Sequence, residues 1–425
     1  MHYVWQHRLW PAVPLATTGG DLVEVLDPGL LNCDAGPDFF NAKVRIGDRV
    51  WVGNVEMHLR ASDWHRHGHD SDPAYHTVIL HVVGSDDTTI TRPDGTAIPQ
   101  LVMPSTDNFR ARYEAMLACS TPDLACADTL PDIPSIYVAD WLTALSLERL
   151  QAKAARVAAL ADAESGDWQH ALYVTLARTL GFSKNNDAFE RLALSLPLRK
   201  LRKHADDPVC IEAMLLGQAG FLDNLSEEAE ADPYVGRLRT EYQFMAAKFS
   251  LKQPRDLAWK MGRMRPANFP VRRVATLARF VCCDFSAGGK VLAAATIEEA
   301  RRIFDIELTG YWAEHSTFGA PTASSPRAFS RSALDVLTIN VLVPMLYAYG
   351  TTYGNDDMAA RAVGLLQQLP AEDNVITRLF GDAGIACRDA FASQAMVQLR
   401  REYCEPRKCL YCRFGHRILS SSARN

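Results

Sequence analysis

The spacing of apolar residues changes its period once along this chain, close to residue 106, and this change limits the possible folds more than any other feature. In residues 50–59 apolar and polar side chains alternate, which is the pattern of a β-strand with one buried face. After residue 106 apolar positions recur every three or four residues, as in helices that bury one side. The sequence therefore predicts an α+β protein, with a small β-rich N-terminal domain over residues 1–105 and a larger all-helical domain over residues 106–425.

Turn residues divide the β-rich part into strands. Residues 40–46 and 50–59 flank Gly47-Asp48-Arg49, which predicts a hairpin. Residues 77–83, "TVILHVV", are almost continuously apolar, which is typical of a central strand buried on both faces. A further hairpin is predicted across residues 88–103, through "RPDGT".

Nine segments of the larger part carry the helical spacing, and many of them are bounded by Pro, Gly, Asp or Ser. These segments are residues 135–163, 167–180, 187–195, 208–223, 231–249, 270–283, 332–349, 357–368 and 385–402. The loops at 284–289 and 315–330 are rich in Ser, Ala, Pro and Gly, so a subdivision of the helical domain is expected near residues 284–330.

The composition narrows the class of protein. The net charge of −5 excludes a generally basic nucleic-acid binder, so any surface of that kind has to be local. No run of 18 apolar residues is present and the N-terminus lacks the layout of a secretory leader, so we expect a cytoplasmic protein without a membrane contact. The ten cysteines are then expected to be reduced thiols or metal ligands.

Two carboxylates in the first hairpin predict a metal site. Glu56 and His58 share one face of a strand, and Asp38 lies just before its partner strand. Adjacent strands can bring Asp38 and Glu56 to one point, where carboxylate oxygens suit Mg²⁺ or Mn²⁺. Such an ion polarises a phosphodiester and activates a water molecule, so Asp38, Glu56 and His58 are the predicted catalytic residues.

"PD" at 37–38, a hairpin, and "EMH" at 56–58 together resemble the PD-(D/E)XK nuclease motif. The resemblance implies a mixed sheet flanked by helices, Mg²⁺-dependent cleavage of DNA or RNA, and metal ligation by Asp38 and Glu56. His58 stands where that family usually has Lys. Because a histidine is mostly neutral at pH 7, His58 can orient water or act as a base but cannot hold a fixed positive charge.

The segment "DWHRHGHDSD" places several histidines and aspartates before the buried strand. Three interpretations are open. The loop contacts substrate beside the metal, chiefly through His67 and His69; it forms an imidazole site for Zn²⁺ or Fe²⁺; or it is a solvated loop. His81, within the apolar strand, is expected to be a core histidine rather than a ligand.

The C-terminal segment contains a second candidate metal site, because Cys404, Cys409 and Cys412 form C-x₄-C-x₂-C. His416 would complete a Cys₃His zinc site, or Cys126 or Cys119 would supply a fourth thiolate. The second arrangement resembles recombination and CRISPR-adaptation exonucleases, in which one upstream and three C-terminal cysteines hold a [4Fe–4S] cluster. Either Zn²⁺ or an iron–sulfur cluster is therefore expected.

Basic clusters offer a local path for phosphates on an otherwise acidic chain. "KMGRMRPANFPVRR" carries Arg263, Arg265 and Arg272 beside a rigid turn at a helix start, which is a good seat for a phosphate. These arginines, with His67 and His69, are the predicted substrate-binding residues, and DNA or RNA is the predicted partner.

The predicted function is a Mg²⁺- or Mn²⁺-dependent nuclease that hydrolyses phosphodiester bonds. One alternative is a non-catalytic nucleic-acid-binding or scaffold protein with the same fold, and another is a His/Asp metalloenzyme whose histidine loop faces the same cavity as Glu56. Blocks such as "SLPLRKLRKH", "LLGQAGFLD" and "CEPRKCLYCRFG" are similar to one uncharacterised bacterial family, catalogued only as a domain of unknown function. That resemblance implies kinship and brings no activity.

Overall fold

A computed structural model describes residues 1–420 except 12, 106, 120–122, 256, 284–286, 320 and 322–325. The chain is α+β, with an N-terminal mixed sheet and a larger helical part, as the change of period predicts. It divides into two compact units. Unit 1 comprises Met1–Trp141, Leu379–Ile385 and Leu399–Asn425, and unit 2 comprises Leu142–Arg378 and Ala386–Gln398. The sequence-based division of domains at residue 105 stays a prediction.

Unit 1 contains one seven-stranded sheet. Its strands are β1 (Leu15–Ala16), β2 (Leu22–Asp27), β3 (Leu30–Leu31), β4 (Phe39–Ile46), β5 (Arg49–Arg60), β6 (Val78–Ser85) and β7 (Gln100–Val102). Their order across the sheet is β1-β2-β4-β5-β6-β7, and β3 pairs with the start of β4. The pairs from β1 to β5 are antiparallel, whereas β5–β6 and β6–β7 are parallel. The sheet is therefore mixed, with the change of direction at β5.

The first hairpin has the predicted position. Ile46 pairs with Arg49, so the turn consists of Gly47 and Asp48, and Gly47 adopts a left-handed φ of 57° that suits glycine. β6 is buried along Val78–Val83, as the apolar run predicts. The second predicted hairpin is present in short form: Thr91 and Ala97 form an antiparallel bridge, and the N–H of Ile98 donates to the carbonyl oxygen of Ile90 at 2.9 Å. The strand that follows it, β7, pairs in parallel with β6.

The core of unit 1 lies on one face of this sheet. It is built from alternate residues of the strands, among them Val44, Val55 and Leu80, and from Trp5 of an N-terminal helix, His2–Gln6. Trp5 is fully buried, and its Nε1 donates to the carbonyl oxygen of Pro28 at 3.0 Å. The N-terminal helix is thereby fixed against the sheet.

Two longer helices of unit 1 were not among the nine predicted segments. They are Asp107–Leu117 and Arg413–Ser420. Unit 1 also contains a π-helix turn, Arg400–Cys404, and a 3₁₀ turn, Cys409–Tyr411. A further pair of short elements, Asp63–Arg66 and Pro73–Thr77, connects β5 to β6.

All nine predicted helical segments contain helix. In chain order the long helices are Ser135–Ala163, Trp168–Leu180, Asn186–Ser195, Pro208–Gln218, Pro233–Phe249, Pro270–Cys282, Arg331–Leu337 with Val343–Thr352, Asp356–Gln368 and Ala390–Leu399. Prolines open three of them, and Asp207 and Asp232 cap two of those by accepting backbone N–H groups. The pattern missed shorter helices of unit 2, namely Leu198–Leu201, Glu227–Glu230, Ala287–Ala293, Ile297–Phe304 and Tyr311–Glu314. It also missed Val375–Asp382, whose residues are divided between the two units.

One described helical stretch, Arg331–Thr352, is long and apolar enough to cross a membrane by length and composition, and 67% of its apolar window is buried in the structure. Such burial is the pattern of a core helix. The predicted linkers fall partly on residues 284–286, 320 and 322–325, which lie outside the described residues. Of the remaining linker residues, Ala287 begins a helix, and Arg327 forms a bridge with Glu307.

Candidate functional site

The two predicted carboxylates are held together by backbone hydrogen bonds at the start of β4. The N–H of Asp38 donates to Oε2 of Glu56 at 3.1 Å, and the N–H of Met57 donates to Oδ2 of Asp38 at 2.9 Å. Phe39 pairs with Val55 in the antiparallel ladder, which sets this register. The structure therefore brings Asp38 and Glu56 to one point, as the hairpin pattern predicts.

The connection between the parallel strands β5 and β6 supplies the histidine loop. Parallel strands need a crossover, and here it consists of a short helix, Asp63–Arg66, and a 3₁₀ turn, Pro73–Thr77. Gly68 has a left-handed φ of 75° and reverses the chain between His67 and His69. The loop thus returns over the end of β5 that carries Glu56 and His58.

Four side chains converge where this loop covers the strand. Oε1 of Glu56 lies 3.5 Å from Nε2 of His58 and 3.3 Å from Nε2 of His69. Nε2 of His58 lies 3.1 Å from Nδ1 of His67, and the ligand atoms of the three histidines all lie within 4.8 Å of one another. We call these four residues the histidine centre.

The three histidines can share a single metal ion, because their ligand atoms all lie within 4.8 Å of one another, and Glu56 lies beside this group through its contacts with His58 and His69. An ion bound to nitrogen at about 2.0–2.1 Å in tetrahedral geometry separates its ligand atoms by about 3.4 Å. The three contacts of 3.1, 3.3 and 3.5 Å lie close to that value. Because imidazole nitrogens cannot all donate to one another, a cation among them is the simplest way to satisfy these lone pairs.

Burial controls the charges at this point. It raises the pKa of Glu56 to about 8, helped by the nearby charge of Asp38. Burial also lowers the pKa of His58 to about 4, and the neighbouring histidines act in the same direction. Without a cation, the Glu56 carboxyl is therefore protonated and His58 is neutral at pH 7. The binding of a metal ion would offset the free-energy cost of removing the proton from Glu56.

Aromatic side chains enclose the loop side of the centre. The ring of His69 stacks on Tyr75 with 3.7 Å between centroids, and Trp64 packs edge-on against it at 5.4 Å. Trp64 and Tyr75 are both buried. The ring of His69 is thus held in one orientation, while His67 stays exposed at the mouth of the site.

Two further histidines contact the site: His81, which was expected to be a core histidine, and His2, which the sequence did not indicate. His81 on β6 is fully buried, and its Nε2 lies 2.9 Å from Nδ1 of His58. His2 is half-exposed, and its Nε2 lies 3.0 Å from Oδ2 of Asp38. A polar residue inside the apolar run at 77–83 was a signal for His81, whereas nothing in the sequence links His2 to position 38.

Other polar residues of the histidine loop serve the loop itself. Nδ1 of His65 pairs with Oδ2 of Asp70 at 2.7 Å, on the exposed side. Asp72 caps the 3₁₀ turn by accepting the N–H of Ala74. Of the three interpretations of this loop, the imidazole site agrees with the convergence of His67 and His69 on His58.

The structure places four cysteines around one small, mostly apolar cavity of unit 1. They are Cys126, Cys404, Cys409 and Cys412. All ten cysteines of the chain are free thiols. The two other candidate ligands have different partners: Cys119 Sγ lies 3.0 Å from Oδ2 of Asp128, and Nδ1 of His416 lies 2.9 Å from the hydroxyl of Tyr3.

The predicted phosphate-binding arginines divide into two kinds, all in unit 2. Arg263 and Arg265 are exposed, before the turn Pro266–Asn268. Arg272 is 2% exposed, and its Nη1 donates to the carbonyl oxygens of Trp312 and His315 at 2.8 and 2.6 Å. Because this buried guanidinium donates to two backbone carbonyl oxygens, it stabilises the fold and is not accessible to a phosphate.

A family model described as protein of unknown function (DUF2851) matches residues 1–375. No curated protein and no solved structure matches the chain. The comparisons therefore establish the family of the chain and indicate no activity.

Proposed function

This chain belongs to the family described as protein of unknown function (DUF2851), and we propose that its activity is metal-dependent hydrolysis of phosphodiester bonds in nucleic acid. The observation that carries the proposal is the convergence of Glu56 Oε1 with Nε2 of His58 and Nε2 of His69. Burying a carboxylate among imidazoles is costly unless a cation joins them, so the arrangement is best explained as a ligand set.

The ligand set favours Zn²⁺ over the Mg²⁺ that the two carboxylates alone predict. Three imidazoles suit Zn²⁺ or Fe²⁺, whereas Mg²⁺ prefers oxygen ligands. An ion bound there would lower the pKa of a coordinated water and polarise a phosphodiester oxygen. Position 58 carries no fixed positive charge, since His58 is neutral at pH 7, so the positive charge has to come from the ion.

Glu56, Asp38 and His2 have separate roles in the proposed reaction. Glu56 is oriented by the N–H of Asp38, which leaves Oε1 toward the histidines. Asp38 accepts the N–H of Met57 and pairs with His2 at the solvent edge of the site. We assign to His2 the donation of a proton to the leaving oxygen, with Asp38 orienting its ring.

The choice of phosphodiester as the substrate rests on the layout of the carboxylates. Asp38 precedes β4, and Glu56 and His58 follow on its antiparallel neighbour β5, which pairs in parallel with β6. This order of residues on adjacent strands supports the resemblance to PD-(D/E)XK nucleases. The exposed Arg263 and Arg265 are the candidate phosphate contacts of unit 2.

The test compares metal-loaded forms of the full chain. Protein loaded with Zn²⁺, Mn²⁺ or Mg²⁺ is incubated with single- and double-stranded DNA, with RNA and with a nitrophenyl phosphodiester. We expect cleavage that is fastest with Zn²⁺ and stops with a chelator. His67→Ala is expected to lose both the metal and the activity.

His65→Ala is the matched control, because His65 belongs to the same loop but pairs with Asp70 on its exposed side. This variant should keep metal and activity. If the zinc-loaded wild-type chain leaves every substrate intact, the hydrolase proposal fails and a non-catalytic nucleic-acid-binding protein becomes the better account.

A further inference from the structure

The four-cysteine cavity lies outside the histidine centre and is assembled from two distant segments of the chain. Cys126 precedes a 3₁₀ turn, Ala127–Asp132, while the other three cysteines lie in the C-terminal segment. Besides the thiols, the cavity is lined by Met116, Leu124, Ala125, Tyr403 and Gly415. The surroundings are thus apolar, and the thiols are the atoms suited to hold a soft ligand.

Several contacts fix these thiols in place. Arg400 donates to Oδ1 of Asp123 at 2.7 Å, which joins the helix ending at Cys404 to the segment before Cys126. The N–H of Cys412 donates to the carbonyl oxygen of Cys409 at 3.2 Å. Gly415 packs so closely on this turn that an added Cβ would lie 2.1 Å from the Cys409 oxygen. These close contacts hold the turn that carries Cys409 and Cys412 in one conformation.

The four thiols line one cavity, and none of them is in a disulfide. Four converging cysteines without a disulfide, in an apolar cavity, need a positively charged ligand to become thiolates.

The distances between the sulfurs distinguish the two candidate ligands, which are a single Zn²⁺ ion and an iron–sulfur cluster. A single Zn²⁺ binds sulfur at about 2.3 Å, so tetrahedral thiolates lie about 3.8 Å apart. Among the described residues, His58, His67 and His69 supply the one group of three or more ligand atoms that all lie within 4.8 Å, so no three of these sulfurs are that close. In a [4Fe–4S] cluster each cysteine binds a different iron, and the sulfurs stand farther apart.

We propose that Cys126, Cys404, Cys409 and Cys412 hold an iron–sulfur cluster of the [4Fe–4S] type. The cluster connects the C-terminal segment of unit 1 to the segment around Cys126. Its role is to stabilise unit 1, and it is separate from the hydrolytic chemistry assigned to the histidine centre.

The test uses the full chain purified without oxygen from cells that assemble such clusters. We expect a brown protein with about four iron and four acid-labile sulfide per chain. Sulfide is the decisive measurement, because the histidine centre can bind iron or zinc but holds no sulfide. Exposure to air should bleach the colour and lower the melting temperature by several degrees.

Two variants and a control assign the cluster to these thiols. Cys126→Ser and Cys412→Ser change ligands in different segments, and each should lose sulfide, so a folding failure of one variant leaves the other to decide. Cys33→Ser, at an exposed thiol of unit 1, should retain it. Two results would overturn the proposal. One is bound zinc that is lost in Cys412→Ser but retained in His58→Ala. The other is a wild-type chain without sulfide after anaerobic purification.

Discussion

Nδ1 of His58 lies 2.9 Å from Nε2 of His81, in the interior of the sheet where both rings are buried. The register explains the contact, because His81 pairs with Glu56 across the parallel strands and His58 is two residues farther along the same face. A histidine that binds a metal through Nε2 carries its proton on Nδ1, and His81 is placed to accept that proton's hydrogen bond. We therefore expect His81 to position the ring of His58 for the proposed metal ion.

Replacing His81 should weaken metal binding without removing a ligand. We expect His81→Leu to lower the Zn²⁺ affinity about 10- to 100-fold, because the ring of His58 loses its partner. His81→Gln offers an acceptor oxygen and should recover part of the affinity. Titration calorimetry measures both, with His76→Gln, at an exposed histidine nearby, as the control. Equal affinity for the wild type and the leucine variant would contradict the positioning role.

The stability of the metal-free protein should fall above pH 6.5 because of Glu56. Its pKa is raised from 4.5 to about 8, so its contribution is complete below pH 4.5 and is lost as the pH rises through about 8. The pKa values of His58 and His81 are lowered from 6.5 to about 4, so their contributions are complete above pH 6.5 and are lost as the pH falls toward about 4. Above pH 6.5 only Glu56 changes among these three groups.

Glu56→Gln isolates that effect, because glutamine keeps the shape and has no proton to lose. For the wild type in chelator we expect the free energy of unfolding to drop by about 2 kcal/mol between pH 6.5 and about 8. The variant should show a flatter profile over the same range. Chemical denaturation at several pH values tests this, and parallel profiles for the two proteins would show that Glu56 is not the titrating group.

His2 should affect the rate of hydrolysis more than the binding of metal. It contacts Asp38 rather than the histidine centre, and half of its side chain is exposed. For His2→Gln we expect a turnover lower by about 100-fold, as for loss of a general acid, with the zinc content unchanged. Steady-state kinetics and metal analysis on the same sample separate these outcomes. A variant with normal turnover would remove His2 from the mechanism.

Arg272 is expected to contribute to stability rather than to nucleic-acid binding. Arg272→Met keeps the length of the side chain but leaves the carbonyl oxygens of Trp312 and His315 without this donor, and the loss should be about 2–4 kcal/mol. The exposed Arg265→Met should change stability by less than about 0.5 kcal/mol. Denaturant melts decide the matter, and equal stability of the two variants would argue against the structural role.

The sequence predicts the architecture of this chain better than it predicts the composition of the site. Periodicity locates β4, β5, β6 and the long helices, because burial of one face imposes that spacing directly. The parallel return of β7 was missed, since "RPDGT" describes a local turn and says nothing of which strand its flank will pair with. Asp38, Glu56 and His58 could be placed because they belong to one hairpin.

The partners of His58 and Asp38 could not be placed in the same way. Whether His67 and His69 face Glu56 depends on how the crossover folds back, and this follows from the parallel pairing of β5 with β6. The contact of His2 with Asp38 depends on packing of the N-terminal helix through Trp5. Long-range placement of this kind leaves no local pattern in a single sequence.

The two candidate metal sites differ in when they can form during synthesis. The ligands of the histidine centre all come from Glu56–His69, a short continuous segment, so closing that loop costs little entropy and can happen while the rest of the chain is still being made. The cysteine cavity joins Cys126 to Cys404, with unit 2 encoded between them. Unit 1 is therefore begun first and completed last, and a chain that ends before residue 399 would contain every residue of the histidine centre but lack three of the four cavity cysteines.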